Sequence, residues 1–393
     1  MECYLDNAAT TRPYDSVRQI MQETMDTGFG NPSSMHTKGV EAEEYVETAR
    51  KMLAKSLKVE AREIIFTSGG TESNNQAIIG TALVKRRQGM HVVTTCFEHA
   101  SVYNPMEFLT DFGYETSYVP VDSLGHVKED ELLAAIRPDT VLVSVMMVNN
   151  EVGAIQDVAK LSRLVKEKNP NILFHVDAIQ AYGKMRIYPK RMGIDMLSIS
   201  AHKIHGPKGI GILFVKDGVR IRPIIHGGEQ QKNMRSGTEN VPAIAGMGQA
   251  VQEMEAGFTD RVEKLYQLKE YFITELTSKL EGVKIHGLQT DLPVNEAIRQ
   301  TAPHIVSVGF EGIRSEVLLH ALEDKGVYVS SGSACSSNHP GISGTLQAIG
   351  VDSIYLDSTL RFSFGSFTTQ EELTHAVNSL CELVPVLRRY RRH

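Results

Sequence analysis

ILFHVDAIQ at residues 172–180 and MLSISAHKIHGPKG at residues 196–209 are the two stretches that decide the fold. Each opens on an apolar run of strand length and closes on polar residues, Asp177 in the first and Ser200, His202 and Lys203 in the second. An apolar run without alternation is what a strand covered on both faces requires. Polar groups delivered where such strands end point to the edge at which open α/β sheets bind ligands. Working outward, IIFT (64–67), HVVTT (91–95), TSYVPV (116–121), VLVSVMMV (141–148) and GILFV (211–215) repeat the pattern, and polar, helix-like segments such as 157–168 separate several of them. The alternation predicts an α/β fold with a parallel or mixed sheet between layers of helices. One helix is read in 41–57, where Ala42, Tyr45, Ala49, Met52 and Leu53 share a face. Near 255–280 the pattern changes to a long charged helix. The remainder reads as a smaller α/β unit whose last helix carries Leu373, Val377, Leu380, Cys381, Val384 and Leu387. The expected division is a large unit over 16–260, with 1–15 and 261–393 forming the small one.

The 393 residues are 41% hydrophobic and 22% charged, as in an ordinary globular chain. A formal net charge of -6 argues against a protein whose task is holding nucleic acid. No apolar stretch reaches bilayer-spanning length, and MECYLDNAAT at the start lacks the basic residues and apolar run of a secretory signal. Cys3, Cys96, Cys335 and Cys381 stand far apart without a Cys-x-x-Cys pair. That usage predicts a reducing, cytoplasmic setting with neither a disulfide framework nor a zinc site. The closing RRYRRH is explained by basic residues offsetting a helix dipole.

A carboxylate and a lysine at the ends of neighbouring strands suit pyridoxal phosphate. The lysine forms the Schiff base, and the carboxylate keeps the pyridine nitrogen protonated so that the ring accepts electrons. A surface salt bridge is the competing account of Asp177 and Lys203. IIFTSGGTESNNQAIIG at 64–80 reads as strand, glycine turn and helix, with Gly69 and Gly70 in the tight turn and Thr71 at a helix start whose free N–H groups suit a phosphate; an ordinary Ser/Thr cap is the alternative. GPKGIG at 206–211 lacks the Gly-Lys-Ser/Thr of a nucleotide loop and reads as a turn into GILFV. His99, in TTCFEHAS, and Asn149 and Asn150, after VLVSVMMV, follow other strands. An imidazole there suits stacking on a flat cofactor and proton transfer. Cys335 lies in VSSGSACSSNHPG, a run of small residues that leaves a thiol accessible, as a nucleophile requires; an unreactive loop thiol is the alternative, and His339 finds no further ligands for a metal. Arg361, in STLRFSFG, is either half of a salt bridge or a bidentate carboxylate clamp.

Ten motifs taken in order resemble the cysteine desulfurases of the NifS/IscS type. They are YLDNAATT (4–11), GNPSSMH (30–36), TSGGTES (67–73), EHAS (98–101), VNNEVG (148–153), HVDAIQ (175–180), SISAHKIHGPKGIG (198–211), RSGTEN (235–240), SSGSAC (330–335) and RFSFG (361–365). The resemblance implies a homodimer with the fold-type-I architecture of pyridoxal-phosphate enzymes, its large domain built on a mainly parallel seven-stranded sheet. It implies that Lys203 carries pyridoxal 5'-phosphate and moves protons, that Asp177 pairs with the ring nitrogen, that Gln180 bonds the ring oxygen and that His99 stacks on the ring. Gly70, Thr71, Ser200 and His202 would hold the phosphate, with Thr238 reaching across from the second subunit. Asn150 and Arg361 would grip the carboxylate of L-cysteine. Cys335 would take the sulfur as a persulfide and release alanine, for an iron–sulfur scaffold or another acceptor, with at most a transient contact between Cys335 and a partner's cluster. Selenocysteine lyase and another aminotransferase-fold activity are the alternatives; an aminotransferase has no use for a nucleophilic cysteine. Downstream of Cys335 the loop is richer in glycine than the resemblance leads one to expect, and the chain ends soon after its last helix.

Overall fold

A computed structural model describes residues 1–331 and 343–389 of the chain. The first strand, β1 (Cys3–Tyr4), pairs in parallel with Val327–Tyr328. The apolar runs then become β2 (Ile64–Thr67), β3 (His91–Thr95), β4 (Glu115–Val119), β5 (Thr140–Met146), β6 (Leu173–Asp177), β7 (Met196–Ser200) and β8 (Gly211–Val215). Together they form a seven-stranded sheet in the order β2-β8-β7-β6-β5-β3-β4. Only β8 runs against its neighbours; the remaining pairs are parallel.

The apolar runs lack alternation because both faces are covered, and successive residues of one strand enter different cores. Ile65, Val92, Leu142, Met196 and Leu213 pack with Ala77, Ile78, Val102 and Met106 of the helices Gly70–Lys85 and Ala100–Thr110. Their neighbours Phe66, Val93, Val143, Leu197 and Phe214 face the other way, into the core shared with the helices Thr37–Leu57, Val158–Lys168 and Val241–Glu255. The first of these begins ahead of the expected residue 41, because the His36 side chain accepts from Gly39 N at 3.3 Å and closes its first turn.

The later chain adds β9 (Val283–His286), β10 (Ile305–Phe310), β11 (Val327–Tyr328), β12 (Ser330–Ser331) and β13 (Thr359–Ser363). An antiparallel sheet, β12-β13-β10-β9, packs with the helices Phe258–Lys279 and Gln370–Arg388 around Phe272, Phe310, Phe362 and Leu380. Cys3 and Leu5 belong to that core, whereas Ala302, Ile305, Leu346 and Ile349 join the larger one. Cys381, expected inside, is half-buried, and among the described residues Cys3 is the fully buried thiol. Among the described residues no helix is long and apolar enough to cross a membrane.

Candidate active site

Because β3, β5, β6 and β7 run the same way, their carboxyl ends share one edge of the sheet, where Met146 pairs with Asp177 and Asp177 with Ser198. A cavity of about 340 Å³ opens there, lined by Thr71, His99, Asn150, Asp177, Gln180, Ser200, His202, Lys203 and Arg361 among others. Gly70 starts the helix beside it. Thr238 is exposed and is not among the lining residues. Cys335 lies outside the described residues.

Asp177 is 4% exposed and closes β6 on the face that meets the helices Gly70–Lys85 and Ala100–Thr110. Its Oδ1 accepts from Ile179 N at 2.9 Å and its Oδ2 from Asn74 Nδ2 at 2.8 Å. Burial pushes the carboxyl up; these hydrogen bonds and the nearby His99 and Lys203 pull the other way. Asn74 Nδ2 also donates to Ser101 Oγ at 2.9 Å. Ser101 lies 2.8 Å by Oγ from His99 Nδ1, and its backbone N–H donates to that nitrogen at 3.1 Å. With Nδ1 accepting, neutral His99 carries its proton on Nε2. Burial, reinforced by Lys203 and Arg361 and opposed by Asp177, lowers the imidazole and keeps it neutral.

Lys203 donates to Ala8 O at 2.6 Å and Ala9 O at 2.7 Å, so the chain's opening segment forms one wall of the cavity. That wall is pinned to β13: Ala8 N donates to Ser363 Oγ at 2.8 Å and Asn7 Nδ2 to Ser363 O at 3.0 Å. On β13, Arg361 is 5% exposed, with Nη1 donating to Asn150 O at 2.8 Å and Nη2 to Asp6 Oδ1 at 3.0 Å. Its Nε is buried without a partner among the described residues. The salt-bridge reading of Arg361 is met by its ion pair with Asp6, which lies at the cavity wall.

The residues fit pyridoxal phosphate. A buried carboxylate whose pKa burial raises calls for a cationic or N–H partner, and a pyridinium supplies both. Gly69 enters the helix at φ +153°, in the region that favours glycine, and leaves that helix start without a side-chain cap. A Cβ on Gly70 would come 2.1 Å from Ile179 Cδ1, so any larger residue there would displace the Ile179 side chain from the helix start. Uncapped N–H groups at a helix start beside Ser200 and His202 suit a phosphate. The volume is within the range of small-molecule clefts, about 300–1,000 Å³. Sequence reasoning passed over Asp6, Asn74 and Ser101. Asn74 follows Gly70 by one helical turn, a spacing that was readable, but its aim at Asp177 depends on how helix and sheet pack.

The sequence profile described as "Aminotransferase class-V" matches residues 3–375. A relative named "Cysteine desulfurase IscS", from Dictyoglomus turgidum, is 41% identical over 387 residues, 98% of this chain and 95% of the relative. A second of the same name, from Methanosarcina thermophila, is 40% identical over 98% of this chain and 92% of its own length. Among solved structures, a "NIFS-LIKE PROTEIN" superposes with a TM-score of 0.90 at 37% identity, covering 98% of this chain and all of that one (100%). A structure titled "SspA in complex with cysteine" has a TM-score of 0.78 at 31% identity, over 93% of this chain and 100% of that one. The chain belongs to the class-V aminotransferase family, in its branch of NifS/IscS-type cysteine desulfurases.

Proposed function

We propose that the protein removes the sulfur of L-cysteine with pyridoxal 5'-phosphate as cofactor and Cys335 as the first acceptor. The observation that carries this reading is the convergence of Lys203 and a buried Asp177 at one sheet edge, with Arg361 at the same cavity. Asp177 would hold the ring nitrogen and Lys203 the aldehyde carbon, with Gln180 on the ring oxygen and His99 over the ring. Thr71 and Ser200, with the N–H groups at Gly70 and a neutral His202, would hold the phosphate; burial and the Lys203 charge push His202 down to about 3. Bound there, the cofactor supplies the electron sink that labilises bonds at the substrate's carbons. Arg361 and Asn150 would orient the cysteine carboxylate, and Lys203 Nζ would move protons to and from the carbon skeleton. Cys335 would attack as the thiolate. The carbon–sulfur bond breaks as the sulfur–sulfur bond forms, and a proton completes alanine.

Three finer points belong to the same reading. Thr238, exposed and off its own cavity, supports a homodimer in which it completes the phosphate site of a second copy. The unpaired thiols of Cys3, Cys96 and Cys381 support a reducing, cytoplasmic setting. An iron–sulfur scaffold or another sulfur-accepting protein would take the persulfide.

The purified protein, given L-cysteine and a reductant, is expected to release alanine and sulfide in equal amounts. Cys335→Ser should keep the cofactor and lose both products, and Lys203→Ala should lose the visible absorbance of the bound cofactor. 3-Mercaptopyruvate in place of alanine and sulfide would instead mark an aminotransferase, and turnover confined to L-selenocysteine a lyase. Wild-type product release by Cys335→Ser sinks the proposed role of the thiol. A fully active monomer in sedimentation sinks the shared site.

A further inference from the structure

We propose that His304 is a positioning residue for Gln180 and, through it, for the cofactor's ring oxygen; the inference rests on the reading of the site given above. His304 immediately precedes β10 of the small sheet, whereas Gln180 follows β6 of the large one. Their contact runs from His304 Nε2 to Gln180 Oε1 at 3.2 Å, between side chains of residues only 1% and 5% exposed. The other end of the amide is fixed by the opening segment, since Gln180 Nε2 donates to Ala8 O at 2.9 Å. Turning the amide over would set its oxygen against that carbonyl, so the oxygen faces His304. His304 must then donate from Nε2, which leaves Nδ1 bare. Nδ1 is buried and has no partner among the described residues.

Burial, reinforced by the charges of Lys184, Lys269, Arg361 and Lys203, holds His304 well below the usual histidine range, so the neutral donor form persists. An orphaned buried nitrogen is destabilising, and an apolar side chain at 304 would avoid it. It would also leave Gln180 Oε1 without a donor. An amide nitrogen carries two hydrogens and Ala8 takes one, so the second is available to the cavity that Gln180 lines. Ala8 O receives Lys203 Nζ as well, which ties the setting of Gln180 to the wall that holds the lysine.

The test is a double-mutant cycle between His304→Leu and Gln180→Ala, read as the dissociation constant for pyridoxal phosphate and the visible absorbance maximum of the loaded protein. His304→Leu is expected to weaken cofactor binding about five-fold, the effect of one lost hydrogen bond. It should move the maximum in the same direction as Gln180→Ala and add nothing in the Gln180→Ala background. If His304→Leu lowers the melting temperature too far, His304→Asn keeps a donor and should return both readouts toward wild type. Additive effects, or unchanged readouts in His304→Leu, overturn the inference. Wild-type protein that binds no pyridoxal phosphate removes the reading of the site itself, and the inference with it.

Discussion

Burial pushes the Asp177 carboxyl up and only a few donors oppose that shift, so each matters. Asn74→Ala takes one hydrogen bond from Oδ2 and leaves Ser101 Oγ without its link to the carboxylate. Burial then acts with less opposition, and the carboxyl should shift further toward the neutral form. We expect turnover to fall about ten-fold, with circular dichroism unchanged, the scale of one charge-assisted hydrogen bond. Wild-type turnover in Asn74→Ala would show that Ile179 N alone suffices. Arg361→Lys keeps the charge but loses the fork that serves Asn150 O and Asp6 together. KM for L-cysteine should rise about ten-fold with a smaller change in kcat, and steady-state kinetics decide it. At this scale the sequence was legible where chemistry sits at a strand end: Asp177, Lys203, His99 and Asn150 all line one cavity. It was silent on Asn74, Ser101 and His304. Each of these acts through another side chain, and no spacing along the chain records which face of a helix ends up beneath a neighbouring strand.

Elements were legible as far as their burial is periodic. The all-apolar strands stood out because helices cover both faces, whereas the start of the helix Thr37–Leu57 rests on a histidine cap that no apolar pattern marks. Cys381 was misplaced because helical spacing gives a side, not a depth. The helix Phe258–Lys279 hides a further element-scale feature, Lys269, 2% exposed, donating to Thr301 Oγ1 and Ala302 O, both at 2.7 Å. Burial lowers its pKa from 10.5 to about 7. Between those values the unfolded chain holds the proton and the folded one does not, so this residue makes stability rise with pH from about 7 to about 10. Lys184 is lowered to about 7 in the same sense, so a comparison with Lys269→Met isolates the one residue. Urea unfolding at pH 7 and pH 9 should show wild type gaining about 2 kcal/mol more than the variant. Parallel pH curves would exclude the buried amine as the source.

For the molecule as a whole, the order of the seven strands brings distant motifs to one edge, and the parallel alternation already announced that arrangement. The contribution of residues 4–9 was not legible, because its meaning lies in contacts with β11 and β13 hundreds of residues away. β1 pairs with β11, Ala8 is pinned by Ser363, and Ala8 and Ala9 supply the carbonyls that hold Lys203. A chain ended at residue 300 should therefore fail to retain pyridoxal phosphate through dialysis even where the large sheet forms; retention at wild-type strength would show that the wall is dispensable.

The same pinning orders events on the ribosome. Residues 8 and 9 leave the exit tunnel well before their fasteners on β13, which follow roughly 20–70 s later at about 5–20 residues per second. In the later part of that interval, once Lys203 has emerged, the sheet edge with Asp177 and Lys203 lacks its wall. Final locking of a bound cofactor would therefore await the synthesis of β13, and a nascent chain stalled before β13 would exchange pyridoxal phosphate freely with the surrounding pool.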